Sequence, residues 1–172
     1  MKIKSLLLLS VMTLGLMSCQ ESAESSREEG KTLLSENKSE EAVKNFQDAA
    51  DQGDAEAQFK LGACYEHGTG VTKDEAKAVE YYKKAAEQNY DDAQTNLGLC
   101  YYAGKGVTQD YNEAVKWFTK AAEAGDALAQ RNLGVCYYKG NGVTKSIDEA
   151  KRWLQKAADQ GDEDAKNALK SI

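Results

Sequence analysis

Residues 54–89 read DAEAQFKLGACYEHGTGVTKDEAKAVEYYKKAAEQN, and their pattern returns at once. Leu61-Gly62 comes back as Leu97-Gly98 and as Leu133-Gly134, each time 36 residues on. Gly68, Gly70 and Val71 return as Gly104, Gly106 and Val107, then as Gly140, Gly142 and Val143. Ala85-Ala86 returns as Ala121-Ala122 and Ala157-Ala158. Three copies at one fixed period mark a stacked array rather than a closed enzyme core.

Each copy reads as two helices. Ala57, Leu61, Cys64 and Tyr65 fall on one helix face. Gly68 and Gly70 then end that helix, because glycine enters left-handed backbone without a steric cost. The second helix starts after Asp74, Asp110 or Ser146, whose side-chain oxygens accept from orphan N–H groups. Ala78, Tyr82, Ala85 and Ala86 form its apolar stripe. One pair cannot bury both of its faces alone, so the pairs must stack.

The 172-residue chain has no proline, 41% apolar and 29% charged residues, and a net charge of −6. That composition suits a single helical array. It has no basic stripe, which argues against nucleic-acid binding. The acidic balance is an ordinary means of staying soluble.

The first 18 residues read as a targeting segment outside the fold. Lys2 and Lys4 precede an apolar run from Ser5 to Met17, about 13 residues long. A membrane span needs roughly 20. The run closes in Leu16-Met17-Ser18-Cys19, which resembles a bacterial lipobox, with Met17 the less usual occupant. The resemblance implies cleavage before Cys19 and acylation of that residue, palmitate included. Each buried CH₂ contributes about 0.8 kcal/mol, so two or three chains hold a protein on a membrane. An ordinary secretory signal cut elsewhere is the alternative. Gln20, where an Asp would signal inner-membrane retention, points to the outer membrane. Cleavage would remove Lys2 and Lys4 and take the charge from −6 to −8.

Residues 19–28 read as a short tether merging into a helix. Residues 29–54 form a diverged, tetratricopeptide-like unit. Gly30 to Ala42 spans 12 residues where Gly62 to Ala78 spans 16, so four loop residues are missing. Three full units follow at 55–90, 91–126 and 127–161. Residues 162–172 begin another first helix and read as a cap.

The full units resemble Sel-one-like repeats, a subfamily of tetratricopeptide-type helical repeats. The carrying residues are Ala57-Gln58, Leu61-Gly62, Cys64-Tyr65, Gly68, Gly70-Val71, Asp74, Ala78, Tyr82 and Lys84-Ala85-Ala86. Ala93-Gln94 and Ala129-Gln130 open the next two copies, where Phe118 and Leu154 replace Tyr82. The resemblance implies an all-α fold, an α/α right-handed superhelical solenoid. Its concave face would bind a protein or peptide.

Cys64, Cys100 and Cys136 hold one repeat position. Equivalent helices stack about 10 Å apart, and a disulfide needs Cα atoms within about 7 Å, so buried thiols are expected. Cysteine-rich relatives pair two cysteines within a unit; this chain lacks the second. His67 is the only histidine, too little for a structural metal site. No cofactor is expected. No acylating Ser motif, P-loop or dinucleotide fingerprint appears. A β-lactamase-like activity, described for some cysteine-rich relatives, is therefore the weaker alternative to a non-catalytic scaffold. An immunity or regulatory protein that binds an envelope enzyme or toxin is not separated from the scaffold by sequence.

Function should reside in residues that break the repeat. By analogy with tetratricopeptide units, the inward positions are Phe59, Ala63 and Glu66, then Thr95, Leu99 and Tyr102, then Arg131, Val135 and Tyr138. Phe59, Leu99, Tyr102, Arg131, Val135 and Tyr138 are the candidate partner-binding residues, and Cys19 the lipidation site. Tyr102 and Tyr138 also fit a simpler role, packing against adjoining loops.

Overall fold

The computed structural model describes residues 20–172, and every regular element among them is helical. Helix α1 covers 20–35, α2 Ser39–Asp51, α3 Ala55–His67, α4 Glu75–Glu87 and α5 Asp91–Ala103. Then come α6 Tyr111–Ala124, α7 Ala127–Lys139, α8 Ile147–Asp159 and α9 Glu163–Leu169. The described residues fall into two compact units, one ending at Lys73 and one covering Asp74–Ile172. Residues 1–18, expected to be a targeting segment, and Cys19 lie outside the described residues.

In the first unit, residues 20–28 are helical and part of α1, where a short tether merging into a helix was expected. Two features order them. Ala23 is buried, and Arg27 reaches the start of α3, 2.6 Å from Asp54 and 3.2 Å from Glu56. Lys31 joins the same cluster, 2.6 Å from Glu56 and 3.0 Å from Glu28. Burial works against the Arg27 charge, but Glu28, Asp54 and Glu56 outweigh it and hold the guanidinium above its ordinary pKa. Gly30 lies under the Phe46 ring, which a Cβ would approach to 2.7 Å. The short turn after α1 passes through Asn37 at φ 62°, so asparagine takes the left-handed place that glycine fills elsewhere.

In the second unit, α5 pairs with α6 and α7 with α8. The helix glycine of the Leu-Gly pair sets each approach. A Cβ at Gly98 would meet the Phe118 ring at 2.6 Å, and one at Gly134 would meet Leu154 at 2.8 Å. The expected caps form. Asp74 accepts from Lys77 N, Asp110 from Asn112 and Glu113 N, and Ser146 from Glu149 N. Asp110 N also donates to Tyr101 O and Ser146 N to Tyr137 O, both at 3.0 Å, which closes the loop between partner helices.

Two devices join successive pairs. The first is a buried glutamine. Gln58 Nε2 donates to Ala50 O in the first unit; in the second, Gln94 donates to Ala86 O and Gln130 to Ala122 O. Each adds a second donor to a carbonyl at the end of the preceding helix, which already accepts from Gly53, Asn89 or Gly125 N. The second device is the loop's second glycine. Gly70, Gly106 and Gly142 have φ of 71°, 66° and 70°. A Cβ on them would lie 2.3, 2.1 and 2.2 Å from the carbonyl oxygens of Ser39, Glu75 and Tyr111. These are the first residues of α2, α4 and α6. Glycine is required there twice over, by backbone conformation and by space.

The core follows the expected stripes. Ala78, Tyr82, Ala85 and Ala86 are buried in α4, and Phe118 and Leu154 take the Tyr82 position in α6 and α8. Cys64, Cys100 and Cys136 are buried thiols, not disulfides.

Gly106→Ala should therefore cost on the order of 2 kcal/mol, as overpacking does. Gly125→Ala, at φ 111° with nothing within 4 Å of the added carbon, should cost only about 1 kcal/mol. Thermal melts by circular dichroism test the order; equal losses would show that close approach is not what demands glycine at position 106.

Candidate functional site

The repeat-breaking residues sort by helix position. At the position shared by Phe59, Thr95 and Arg131, two of the three side chains serve the stack. Thr95 is buried, and its hydroxyl donates to Asp126 Oδ1 at 3.0 Å. That same oxygen accepts from Ala129 N at 2.6 Å and so caps α7. Arg131 donates to Asp162 Oδ1 at 3.3 Å and to Asp164. Asp162 caps α9 through Ala165 N. Arg27 does the same in the first unit with Asp54, the cap of α3. These residues tie one helix to the capping acid of a later one. Phe59 differs: it is half-buried, with the Lys60 ammonium 5.7 Å from its ring centroid.

One turn on lie Leu99 and Val135, both half-buried. Leu99 packs on the cluster formed by Ala114, Phe118, Ala121, Leu133 and Cys136. A further turn brings Tyr102 and Tyr138, whose surroundings differ. The Tyr102 ring stands edge-on to Tyr111 at 5.1 Å and tilted to Phe118 at 6.4 Å. Its hydroxyl accepts from Asn141 Nδ2 at 3.1 Å. Tyr102 therefore packs against an adjoining loop. Tyr138 is 40% exposed and carries only the Lys145 ammonium over its ring, at 5.5 Å. Of these positions in the second unit Tyr138 is the most exposed, and Leu99 and Val135 remain partly accessible.

The second helices present a different surface. Tyr81, Trp117 and Trp153 lie under Lys84, Lys120 and Lys156 at 4.8, 4.6 and 4.2 Å. Lys116 and Arg152 approach the two tryptophans as well. The lysine stems cover the rings, and the tryptophans are only 5–6% exposed.

Among the described residues, no group of three His, Cys, Asp or Glu side chains could hold a metal ion. His67 is exposed at the end of α3. Burial raises the Cys64 thiol against Lys60 and pushes Cys136 up to about 11 against Lys139. A thiol so shifted is a poor nucleophile at neutral pH.

Sequence reasoning missed the glutamine cross-links, the Arg131 pairing and the Asn141 contact. The signal for the first was present: each glutamine follows by eight residues the alanine it bonds, at Ala50, Ala86 and Ala122.

The Sel1 repeat family model matches residues 27–54, 55–90, 91–126 and 127–162. The short first unit is thus matched along with the three full ones. Among solved structures, the chain is similar to a protective antigen of uropathogenic Escherichia coli displaying an SLR fold, at 39% identity and TM-score 0.82. That match covers 90% of this chain and 35% of the antigen. A Sel1 repeat protein of Oxalobacter formigenes matches at 42% identity and TM-score 0.72, over 76% of this chain and 54% of its own. Cysteine rich protein B of Helicobacter pylori matches at 28% identity and TM-score 0.59, over 74% of this chain and 96% of its own. The chain spans about a third and about half of the first two. No curated protein matches it.

Burial of Cys136 makes a kinetic prediction. In native protein at pH 8, iodoacetamide should label Cys136 at least about a hundredfold more slowly than in denatured protein, since a pKa near 11 leaves little thiolate. Peptide-resolved mass spectrometry reads the two rates; equal rates would show the thiol to be open to solvent.

Proposed function

The chain belongs to the Sel1 repeat family, and from that premise we propose a lipid-anchored, non-catalytic scaffold that binds a protein or peptide at a bacterial envelope membrane. One observation carries the binding half. Leu99 and Val135 differ at one repeat position, and with the half-exposed Tyr138 they keep accessible side chain on the first helices. Mixed aliphatic and aromatic surfaces of this kind suit protein partners. Phe59 offers a comparable patch on the first unit. Arg131 and Tyr102 hold the scaffold beside these residues.

The anchoring half rests on Leu16-Met17-Ser18-Cys19 behind a short apolar run. Acyl chains on Cys19 would hold the module at the membrane, and Gln20 favours the outer membrane. Concentrating a binding module on a surface raises its effective affinity without any new contact.

Crosslinking and pull-down from native membranes test the reading, with wild type beside a Phe59→Ala, Val135→Ser, Tyr138→Ala variant. The variant should melt near wild type and recover at least about tenfold less of a defined band. A folded variant with full recovery would refute the binding surface. Cys19→Ser should move the protein from the detergent phase to the aqueous phase on Triton X-114 partition; retention in the detergent phase would refute the anchor.

A further inference from the structure

We propose that one end of the first unit, formed by the start of α1 and the turn after α2, is a membrane-seating surface. It rests on phospholipid headgroups, and no flexible tether separates it from the acyl chains. The seat presupposes the lipid anchor at Cys19 proposed above and adds where the bilayer meets the fold. Helix α1 opens at residue 20, one step after Cys19 in the chain. A single peptide step moves Cα by about 3.8 Å, so the acylated residue has almost no slack.

The first turns of α1 are docked, not loose. Ala23, Arg27, Gly30 and Leu34 share one helix face, at steps of four, three and four, and all are buried or half-buried. Ser22 Oγ donates to Gln52 Oε1, in the turn after α2. The Arg27 guanidinium meets Glu24, Glu28, Asp54 and Glu56. Its side chain is 17% exposed and that of Asp54 11%, so water does little to replace the pair. Asp54 also caps α3 through Ala57 N. Withdrawing Arg27 would leave that covered carboxylate without its counter-charge, which holds the start of α1 in place.

The chemistry of this end fits headgroups. Gln20, Ser22, Gln52 and Gly53 are exposed and uncharged, flanked by Glu21 and Asp51. Among the described residues of the first unit no large apolar side chain is exposed, so this end does not enter the acyl layer. The side of α1 carries exposed Glu24, Glu28 and Glu29 instead. Hydrogen bonds from Lys31 and Arg27 hold the Glu28 carboxyl below its ordinary pKa. These charges turn that side away from a phosphate-bearing surface. The helix runs 16 residues, or about 24 Å, which sets Glu36 and Asn37 that far along from the anchored end.

The test uses the full-length chain, expressed in a bacterium and purified from its membranes, in phosphatidylcholine nanodiscs that carry a nitroxide on a lipid headgroup. Amide NMR reads which signals the nitroxide removes. The seat predicts loss of the signals of Ser22, Gln52 and Gly53 and retention of those of Glu36 and Asn37. Inserting about ten Gly and Ser residues after Gln20 adds about 17 Å of slack without touching the docked turns, and it should return the lost signals. Arg27→Glu with Lys31→Glu should return those of Gln52 and Gly53, and dispersed spectra show that the remaining helices stay folded. Retained Gln52 and Gly53 signals in wild type, losses spread evenly from Ser22 to Asn37, or losses unchanged by the spacer would overturn the seat alone. A wild-type chain that the disc does not capture would refute the anchor, and the seat with it.

Discussion

The stack depends on a backbone contact that only glycine allows. At Gly70, Gly106 and Gly142 the loop comes so near a preceding helix that a Cβ would sit 2.1–2.3 Å from its first carbonyl oxygen. The left-handed backbone at these positions aims the loop there. Side-chain apolar burial is non-directional and would tolerate sliding. A contact this close does not. It fixes the register of one helix pair on the next, and the buried glutamines then find their carbonyls.

That register decides which side chains are available for function. Because each pair repeats the same packing, the residues that build it cannot vary freely: alanines approach at the second helices, and Phe46, Phe118 and Leu154 lie over a glycine or against it. The candidate partner-binding residues lie on the first helices. There the structure divides the candidates by physical role. Thr95 and Arg131 are held by capping acids of later helices. Tyr102 is held by rings and by Asn141. Leu99, Val135, Tyr138 and, in the first unit, Phe59 keep surface to offer.

Local features were legible in the sequence and cross-repeat partners were not. The caps at Asp74, Asp110 and Ser146 and the left-handed Gly68 follow from chemistry within a few residues. The buried stripe through Tyr82, Phe118 and Leu154 follows from helical period. Arg131 looked like a binding residue because its polarity broke the repeat, yet its partners lie 31 and 33 residues away. A period of 36 says which positions are equivalent, not which touch. Residues 20–26 looked like a short tether leading into a helix because they are rich in Ser and Glu. Their order comes from Ala23 and from the Arg27 and Lys31 ion pairs with the start of α3, which composition does not encode.

The central claim is that partners bind the variable side chains of the first helices and not the lysine-covered aromatics of the second. Site-specific photo-crosslinking in living cells tests it most directly, with the photoreactive residue at Val135 in one strain and at Lys120 in another. The account predicts a discrete crosslinked product from Val135 and none from Lys120. A product from Lys120 alone would contradict it and place binding on the opposite helices.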